Sequence, residues 1–180
     1  HTTIYQSHTT SPLGDVLLAA TAQDLAGVWF VHRQEHLPDS QTWQTHTAHP
    51  VLMAAAVQLN DYFEGKRQAF ELPLQAAWGT PFQRAVWQAL QTIGYGRTVT
   101  YGDVAQTMGN LKAVRAVGAA IGRNPLSVIV PCHRIVGAAG QLTGYAGGLW
   151  RKEALLQLEH ALPATIAPKT PPGASLSLFE

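Results

Sequence analysis

Cysteine is the scarcest reactive residue in this 180-residue sequence, which contains only one, Cys132. A single thiol cannot form an intramolecular disulfide, so nothing in the sequence argues for secretion. Long apolar runs are lacking too, since no stretch approaches the ~18 consecutive apolar residues of a membrane-spanning helix. No signal peptide is visible, and we therefore expect a cytoplasmic protein without a membrane partner.

Charge is also scarce, and it is unevenly distributed along the chain. Charged residues make up 13% of the sequence, and the formal net charge is +1. Residues 1–80 contain three basic and seven acidic side chains (net −4), whereas residues 81–160 contain eight basic and three acidic ones (net +5). A basic second half favours contact with a polyanion, although chance clustering would give the same numbers.

The first half is typical of a small sheet with one helix. Residues 11–21, 25–31 and 68–74 predict strands, because each contains a short apolar or β-branched run. Apolar residues at helical spacing predict a helix over residues 49–65 that stops at Gly65. We expect this sheet-plus-helix unit to form an N-terminal domain over residues 1–78.

Histidines in the polar loop of residues 32–49 raise the question of a metal site. His32 and His36 are four apart, and His46 and His49 are three apart, which are ligand spacings on a helix. The segment has no helical periodicity, no cysteine and only a few acidic residues. We interpret these residues as solvated loop histidines and predict neither a metal nor a cofactor.

The second half predicts a mainly helical domain over residues 79–162. Thr80 followed by Pro81 is a helix start, and Thr100 with Asp103 resembles a capping box before another helix. A glycine turn and a further helix over residues 111–122 complete a helix-turn-helix pattern, which is weak evidence alone. The fold class is therefore α+β. Residues 163–180, rich in Pro, Ala and Ser, predict a flexible tail without a function.

The helix over residues 111–122 is unusual in carrying small residues around one cation. Such a surface allows close backbone approach to a narrow groove, with one long side chain to insert; a tightly packed core helix with a surface arginine explains it equally well. The residues concerned are Ala113, Ala116, Gly118, Ala119 and Ala120 around Arg115.

Cys132 follows an apolar run over residues 126–130, which predicts a strand. Pro131 cannot donate to a sheet ladder, so we expect the strand to end there and Cys132 to lie in a bend beside His133. Loops at strand ends commonly carry catalytic groups. The alternatives are a buried structural cysteine and a cysteine hydrolase that uses Cys132 and His133.

Four segments together resemble the O6-alkylguanine-DNA alkyltransferase family. They are "TPFQRAVWQAL", "YGDVAQTMGNLKAVRAVGAAIG", "GRNPLSVIVPCHRIVG" and "GQLTGYAGGLWRKEALLQLE", in the order and spacing of that family. The resemblance is strong over residues 80–160, whereas residues 1–78 fit the more variable N-terminal domain of the family only loosely. Members transfer the alkyl group of O6-alkylguanine in DNA irreversibly to a cysteine, and each molecule acts once.

The resemblance implies a role for several residues. Cys132 would be the nucleophile, His133 its base through a water molecule, Glu159 the acid that orients the imidazole, and Asn124 the link between the preceding turn and the active-site backbone. A thiol attacks as the thiolate, so a nearby base or cation is required. The target base must also leave the duplex.

For base flipping, the resemblance implies a helix in the minor groove, with Arg115 in the place of the flipped base and Tyr101 rotating and hydrogen-bonding that base. The residues implied to bind the base are Tyr101, Tyr145, Ala146 and Ile135, and those implied to contact DNA are Ala113, Arg115 and Gly118. Ser127 stands where many relatives have proline, which leaves the tolerance for bulky alkyl groups open. Cys132 distinguishes the chain from a related branch that has tryptophan there and only recognises lesions.

The expected partner is double-stranded DNA that contains alkylated bases, with O4-alkylthymine as a second candidate lesion. We expect a monomer, with cooperative assembly on DNA left open, and a nucleoid location if the source is a prokaryote. A rival interpretation is a helix-turn-helix damage sensor, which would bind alkylated DNA without any change in its own mass. A cysteine hydrolase would instead turn over many times.

Overall fold

The computed structural model describes residues 2–76 and 78–162. In the N-terminal half, four strands form one sheet in the order β3-β2-β1-β4. The strands are β1 (Tyr5–Thr9), β2 (Val16–Ala20), β3 (Leu25–Phe30) and β4 (Gln44–Thr45). β2 pairs antiparallel with both β1 and β3, and β4 pairs parallel with β1. Helix α1 (Pro50–Phe63) contacts β1, β2 and β3.

Strands β2 and β3 are buried along their whole length because both faces of the sheet are covered. On one face, Leu18 and Phe30 join the main core together with Leu59 of α1. On the other face, Trp29 packs against Trp43 and Trp78, with ring centroids 5.9 and 5.7 Å away. Two covered faces explain why these strands are continuous apolar runs in the sequence rather than alternating ones.

Residues 78–162 form four α-helices and a two-stranded parallel ladder. The helices are α2 (Pro81–Leu90), α3 (Tyr101–Thr107), α4 (Val114–Gly122) and α5 (Leu149–Leu158), and β5 (Val99–Thr100) pairs with β6 (Ile135–Val136). The predicted helix starts are confirmed, because the Thr80 and Thr100 side chains each accept a hydrogen bond from a backbone N–H in a capping box. The α+β architecture is thus as predicted.

Two predicted strands are wrong. Residues 68–74, all described, form only a single bridge between Leu74 and Leu25, because Pro73 has no N–H and only its carbonyl pairs. Residues 126–130, also all described, form successive turns with one bridge from Leu126 to Val28. Val128 has a φ of 70°, which no strand residue adopts. The apolar run there reflects burial in turns.

Strands β1 and β4 were not predicted. β1 has the sequence YQSHT, which contains only one apolar side chain, and β4 is two exposed residues long. Their pairing comes from backbone hydrogen bonds with a neighbouring strand and not from an apolar pattern.

The elements of the C-terminal half bring the predicted site residues together. A short 3₁₀ helix, Cys132–Arg134, follows Pro131 and leads directly into β6. Helix α5 packs against this 3₁₀ helix and ends just before Glu159. Helix α4 is anchored from below, because Trp87 Nε1 of α2 donates a hydrogen bond to the Ala120 carbonyl at 2.7 Å.

No helix within residues 2–76 or 78–162 is long and apolar enough to cross a membrane. The described residues also contain no group of three or more His, Cys, Asp or Glu side chains that could hold a metal ion.

Candidate active site

Cys132 is buried, and its sulfur accepts a hydrogen bond from Asn124 Nδ2 at 3.2 Å. Burial raises the pKa of the Cys132 thiol, while the hydrogen bond from Asn124 and the nearby Lys152 ammonium act in the opposite direction. Both groups stabilise a thiolate more than a thiol, so they favour the nucleophilic form.

Asn124 also holds the turns that precede the cysteine. Its Nδ2 donates to the Val130 carbonyl at 2.9 Å, and its Oδ1 accepts from the Leu126 N–H at 3.0 Å. One buried amide therefore closes the segment that replaces the predicted strand and fixes the backbone just ahead of Cys132. This geometry agrees with the role that the family resemblance implied.

His133 and Glu159 form a buried pair, with His133 Nε2 2.7 Å from Glu159 Oε2. Burial lowers the pKa of His133, and the Glu159 carboxylate opposes that shift. Because an ionised carboxylate only accepts, the neutral ring carries its proton on Nε2. Nδ1 then carries a lone pair, and it has no hydrogen-bond partner among the described residues. The pair thus offers a base whose second nitrogen is free to take a proton.

The Glu159 carboxylate is the most heavily bonded group of the site. Arg134 donates from Nε to Oε1 at 2.8 Å and from Nη2 to Oε2 at 2.9 Å. The Tyr62 hydroxyl donates to Oε2 at 2.5 Å. Burial opposes the ionisation of Glu159, but the hydrogen bonds from His133 and Arg134 outweigh it and hold its pKa well below the usual value. The carboxylate is therefore charged throughout the neutral range.

Lys152 is a second buried cation at the site. Its side chain is fully buried, and its Nζ lies 3.5 Å from the Thr143 carbonyl oxygen. Burial lowers the pKa of Lys152 to about 8, and the charge of the Cys132 thiolate opposes that shift. Since each charge favours the other, the ammonium and the thiolate stabilise one another.

A cavity of about 190 Å³ opens beside the thiol. Its walls include Cys132, Tyr101, Tyr145 and Ala146, which the family resemblance implied would lie together. The Tyr145 hydroxyl is buried beside the Cys132 sulfur, and its hydrogen bond to that sulfur is a further influence that lowers the pKa of the thiol. Gly118 lines the same cavity, and a Cβ there would come within 3.7 Å of the Tyr101 ring.

Ile135 was predicted to bind the base and does not line this cavity, as far as the described residues show. It is fully buried in the main core on β6. Its backbone pairs with Val99 of β5, and its side chain packs within the main core.

The face of α4 that is directed to solvent carries Arg115, which is exposed, and the small residues Ala116 and Ala119. The opposite face packs Val117 and Ile121 into the core. Ala113 belongs to a 3₁₀ turn (Leu111–Ala113) that precedes the helix, and not to the helix itself. The cation and the small surface therefore lie on one accessible face.

Loops of the N-terminal half hold the loop of residues 144–148. The Glu35 N–H donates to the Ala146 carbonyl at 2.7 Å. Buried Arg151 donates to the carbonyls of Leu13 at 3.0 Å, His32 at 2.6 Å and Gly147 at 3.1 Å. One arginine thus ties two N-terminal loops to the cavity wall.

Sequence reasoning missed several residues that the structure brings to the site: Glu35, His36, Tyr62, Arg134, Arg151 and Lys152. Only Arg134 had a local signal, because it belongs to the same Pro-Cys-His-Arg run as the thiol. The others are distant in sequence or look like ordinary surface charges on a helix.

Comparison with known proteins identifies the family of this chain. Residues 81–161 match the family model described as "6-O-methylguanine DNA methyltransferase, DNA binding domain", and residues 4–76 match the "ribonuclease-like domain" of the same family. Proteins named methylated-DNA–protein-cysteine methyltransferase are similar to this chain. The one from Methanosarcina acetivorans is 46% identical over 83% of this chain and 94% of its own length. The one from Mycolicibacterium paratuberculosis is 44% identical over 94% of this chain and 95% of its own.

Solved structures give the same result. Mycobacterium tuberculosis OGT in complex with DNA has a TM-score of 0.80 and 41% identity, over 87% of this chain and 93% of that one. The O6-methylguanine methyltransferase of the same organism has a TM-score of 0.80 and 40% identity, over 98% of this chain and 99% of that one. The chain belongs to the 6-O-methylguanine DNA methyltransferase family.

Proposed function

We propose that this protein repairs DNA by direct reversal, moving the alkyl group of O6-alkylguanine to its own Cys132 in a single, irreversible turnover. The observation that carries the proposal is the position of the only thiol in the sequence. It lines a cavity together with Tyr101, Tyr145 and Ala146. The names of the related proteins, which describe transfer from methylated DNA to a protein cysteine, support the same reaction.

The transfer step is a displacement at carbon. The Cys132 thiolate attacks the alkyl carbon, a sulfur–carbon bond forms, and the bond between that carbon and guanine O6 breaks. The electrons of the broken bond remain on the guanine, which takes up one proton, while the thiol has given one up. No oxidant or cofactor is needed to balance the step.

His133 receives the thiol proton in this proposal, through a water molecule. Its Nδ1 is the unpartnered nitrogen of the His133–Glu159 pair, as judged from the described residues. Glu159 fixes the ring and stabilises the imidazolium that forms, which is the logic of nucleophile–base–acid sites. Asn124 and Lys152 lower the cost of the thiolate before the attack.

The guanine reaches the thiol after it has left the base stack. Arg115 takes its place in the duplex from the minor groove, and the small residues beside it permit the close approach. Tyr101 of α3 helps to rotate the base into the cavity and forms a hydrogen bond with it there. Flipping costs about a few kcal/mol, and less at a poorly paired damaged base, so the lesion contributes to its own selection.

Phosphate contacts from the basic second half would supply affinity for undamaged DNA, which should fall as salt rises. We further propose a division into domains at residues 1–78 and 79–162, action as a monomer, and O4-alkylthymine as a secondary substrate. The cytoplasm, or the nucleoid of a prokaryote, is where such a protein would meet DNA.

Comparing Cys132→Ser with the wild type tests this function. Both proteins should bind a duplex that contains one O6-methylguanine, because serine keeps the size of the side chain. Only the wild type should take up the methyl group from a radiolabelled lesion. Methyl uptake by Cys132→Ser would refute the assignment of the nucleophile, and lesion binding without uptake by the wild type would favour the damage sensor.

A further inference from the structure

Tyr62 makes a hydrogen bond to the active site from the other half of the molecule. It lies near the end of α1, 97 residues before Glu159 in the sequence, and its hydroxyl donates to Glu159 Oε2 at 2.5 Å. Both residues are buried. The contact therefore connects the first half of the chain to the carboxylate that holds His133.

The orientation of the Tyr62 ring is fixed by its aromatic neighbours. Phe63, Phe70 and Tyr95 pack around it, with ring centroids 5.3, 5.5 and 6.3 Å away. Burial and the Glu159 charge both raise the pKa of Tyr62, so the hydroxyl stays protonated. Because Glu159 is ionised and only accepts, the tyrosine is the donor.

Oε2 of Glu159 is shared among three donors. His133 Nε2 lies at 2.7 Å, Arg134 Nη2 at 2.9 Å and the Tyr62 hydroxyl at 2.5 Å. Each donor neutralises part of the negative charge on that oxygen. Each therefore weakens the hydrogen bonds that the oxygen accepts from the other two donors. Removing the tyrosine hydroxyl would leave more charge facing the imidazole.

We propose that Tyr62 is a positioning residue of the transfer reaction, which orients the Glu159 carboxylate toward His133 and limits how strongly that carboxylate holds a proton on the imidazole. This inference rests on the proposed role of His133 as the base that accepts the thiol proton. A base held too firmly as imidazolium cannot accept that proton. Through Tyr62, proton transfer at His133 in the C-terminal half of the chain depends on a residue of the N-terminal half.

The direction of the effect follows from the charges around the pair. The ionisable groups coupled to His133, Glu159 or Tyr62 are Arg134, Lys152, Tyr95 and Tyr145, and the two tyrosines are uncharged near neutral pH because their pKa values are raised. The cations Arg134 and Lys152 lower the pKa of His133, and Glu159 raises it. Loss of the Tyr62 hydroxyl strengthens the influence of Glu159 and leaves the cations in place, so the pKa of His133 should rise.

The experiment is a single-turnover measurement of transfer against pH, with a duplex that contains one O6-methylguanine. Tyr62→Phe should shift the acid limb of the rate profile to higher pH by about 0.5–1 unit. The variant should therefore be roughly threefold to tenfold slower than the wild type where the pH lies below the pKa of His133 in both proteins, and nearly equal to it near pH 8.5. NMR titration of the His133 ring should show the same upward shift.

Tyr95→Phe is the matched control. It removes a hydroxyl from a ring beside Tyr62, but that hydroxyl donates to the Leu158 carbonyl at 3.2 Å and not to the carboxylate. The acid limb of this variant should coincide with that of the wild type. A second control combines Tyr62→Phe with Glu159→Gln, where the tyrosine change should alter the residual rate by less than about twofold, because its effect passes through Glu159.

A rate that falls equally at every pH in Tyr62→Phe, or an unchanged profile, would overturn the inference and leave Tyr62 as a packing residue. If Tyr62→Phe does not fold, Tyr62→Met also removes the hydroxyl and replaces the ring with a flexible apolar side chain. The acid limb of that variant should shift by the same amount. Absence of transfer in the wild type would instead refute the proposed function, so the two failures are distinguishable.

Discussion

Glu159→Gln should strongly destabilise the protein at neutral pH. The carboxylate is buried and accepts two hydrogen bonds from Arg134, one from His133, one from Tyr62 and a longer one from the Gly96 N–H at 3.4 Å. Glutamine has nearly the same shape but no charge, and its NH₂ group would face donors. Removing one partner of a buried ion pair leaves the other uncompensated, which costs about 3–5 kcal/mol.

The loss should also depend on pH in a defined direction. Because the folded-state pKa of Glu159 is depressed, its ionised form stabilises the fold at every pH above the unfolded value of about 4.3. That contribution disappears progressively as the pH falls below this value. The difference in unfolding free energy between wild type and variant should therefore be complete at neutral pH and narrow in acid.

Equilibrium urea unfolding, followed by tryptophan fluorescence, measures this difference. Glu153→Gln is the matched control, because Glu153 lies on α5, which ends just before Glu159, is only partly buried, and accepts from Gln157 Nε2 at 3.4 Å. Its effect should stay within about 0.5 kcal/mol. A loss below about 1 kcal/mol for Glu159→Gln, or equal losses for the two variants, would show that the buried network does not hold the site together.

Three further predictions concern DNA, the spent protein and the thiol. Arg115→Ala should slow repair in duplex DNA far more than reaction with a free alkylated base, and equal losses in single-turnover assays would argue against base flipping by Arg115. Protein alkylated on Cys132 should melt lower by roughly 2–10 °C, because added carbon beside Asn124 overpacks the site; calorimetric melting at or above the value for fresh protein would contradict this. Asn124→Ala should slow transfer about tenfold near pH 7 for each unit that the thiol pKa rises, and a pH profile unchanged from the wild type would exclude a role in activating the thiol.

The helices were predictable because their signals are local. Thr80 and Thr100 cap their helices as the sequence predicted. Helix α1 buries the apolar residues whose helical spacing predicted it. The turns at residues 126–130 were not predictable, because a buried apolar run has the same composition in a strand and in a turn. What decides between them is the Asn124 side chain, which pairs with the backbone at both ends of the segment.

The site itself was predictable only in part. Cys132 and His133 stand in one short motif, whereas Glu159 came from family resemblance, since a glutamate after a helix is ordinarily solvated. Tyr62 had no signal, because a tyrosine on the buried face of α1 looks like a core residue. Long-range contacts of this kind depend on tertiary packing, and no local pattern in the sequence specifies it.

The central claim is that Cys132 takes the alkyl group and keeps it. The most direct measurement is the intact mass of the protein after incubation with excess duplex that contains one O6-methylguanine. We expect the mass to rise by one methyl group in place of one hydrogen, on Cys132, with one lesion repaired per molecule. An unchanged mass despite lesion-selective binding, or several lesions repaired per molecule, would contradict it.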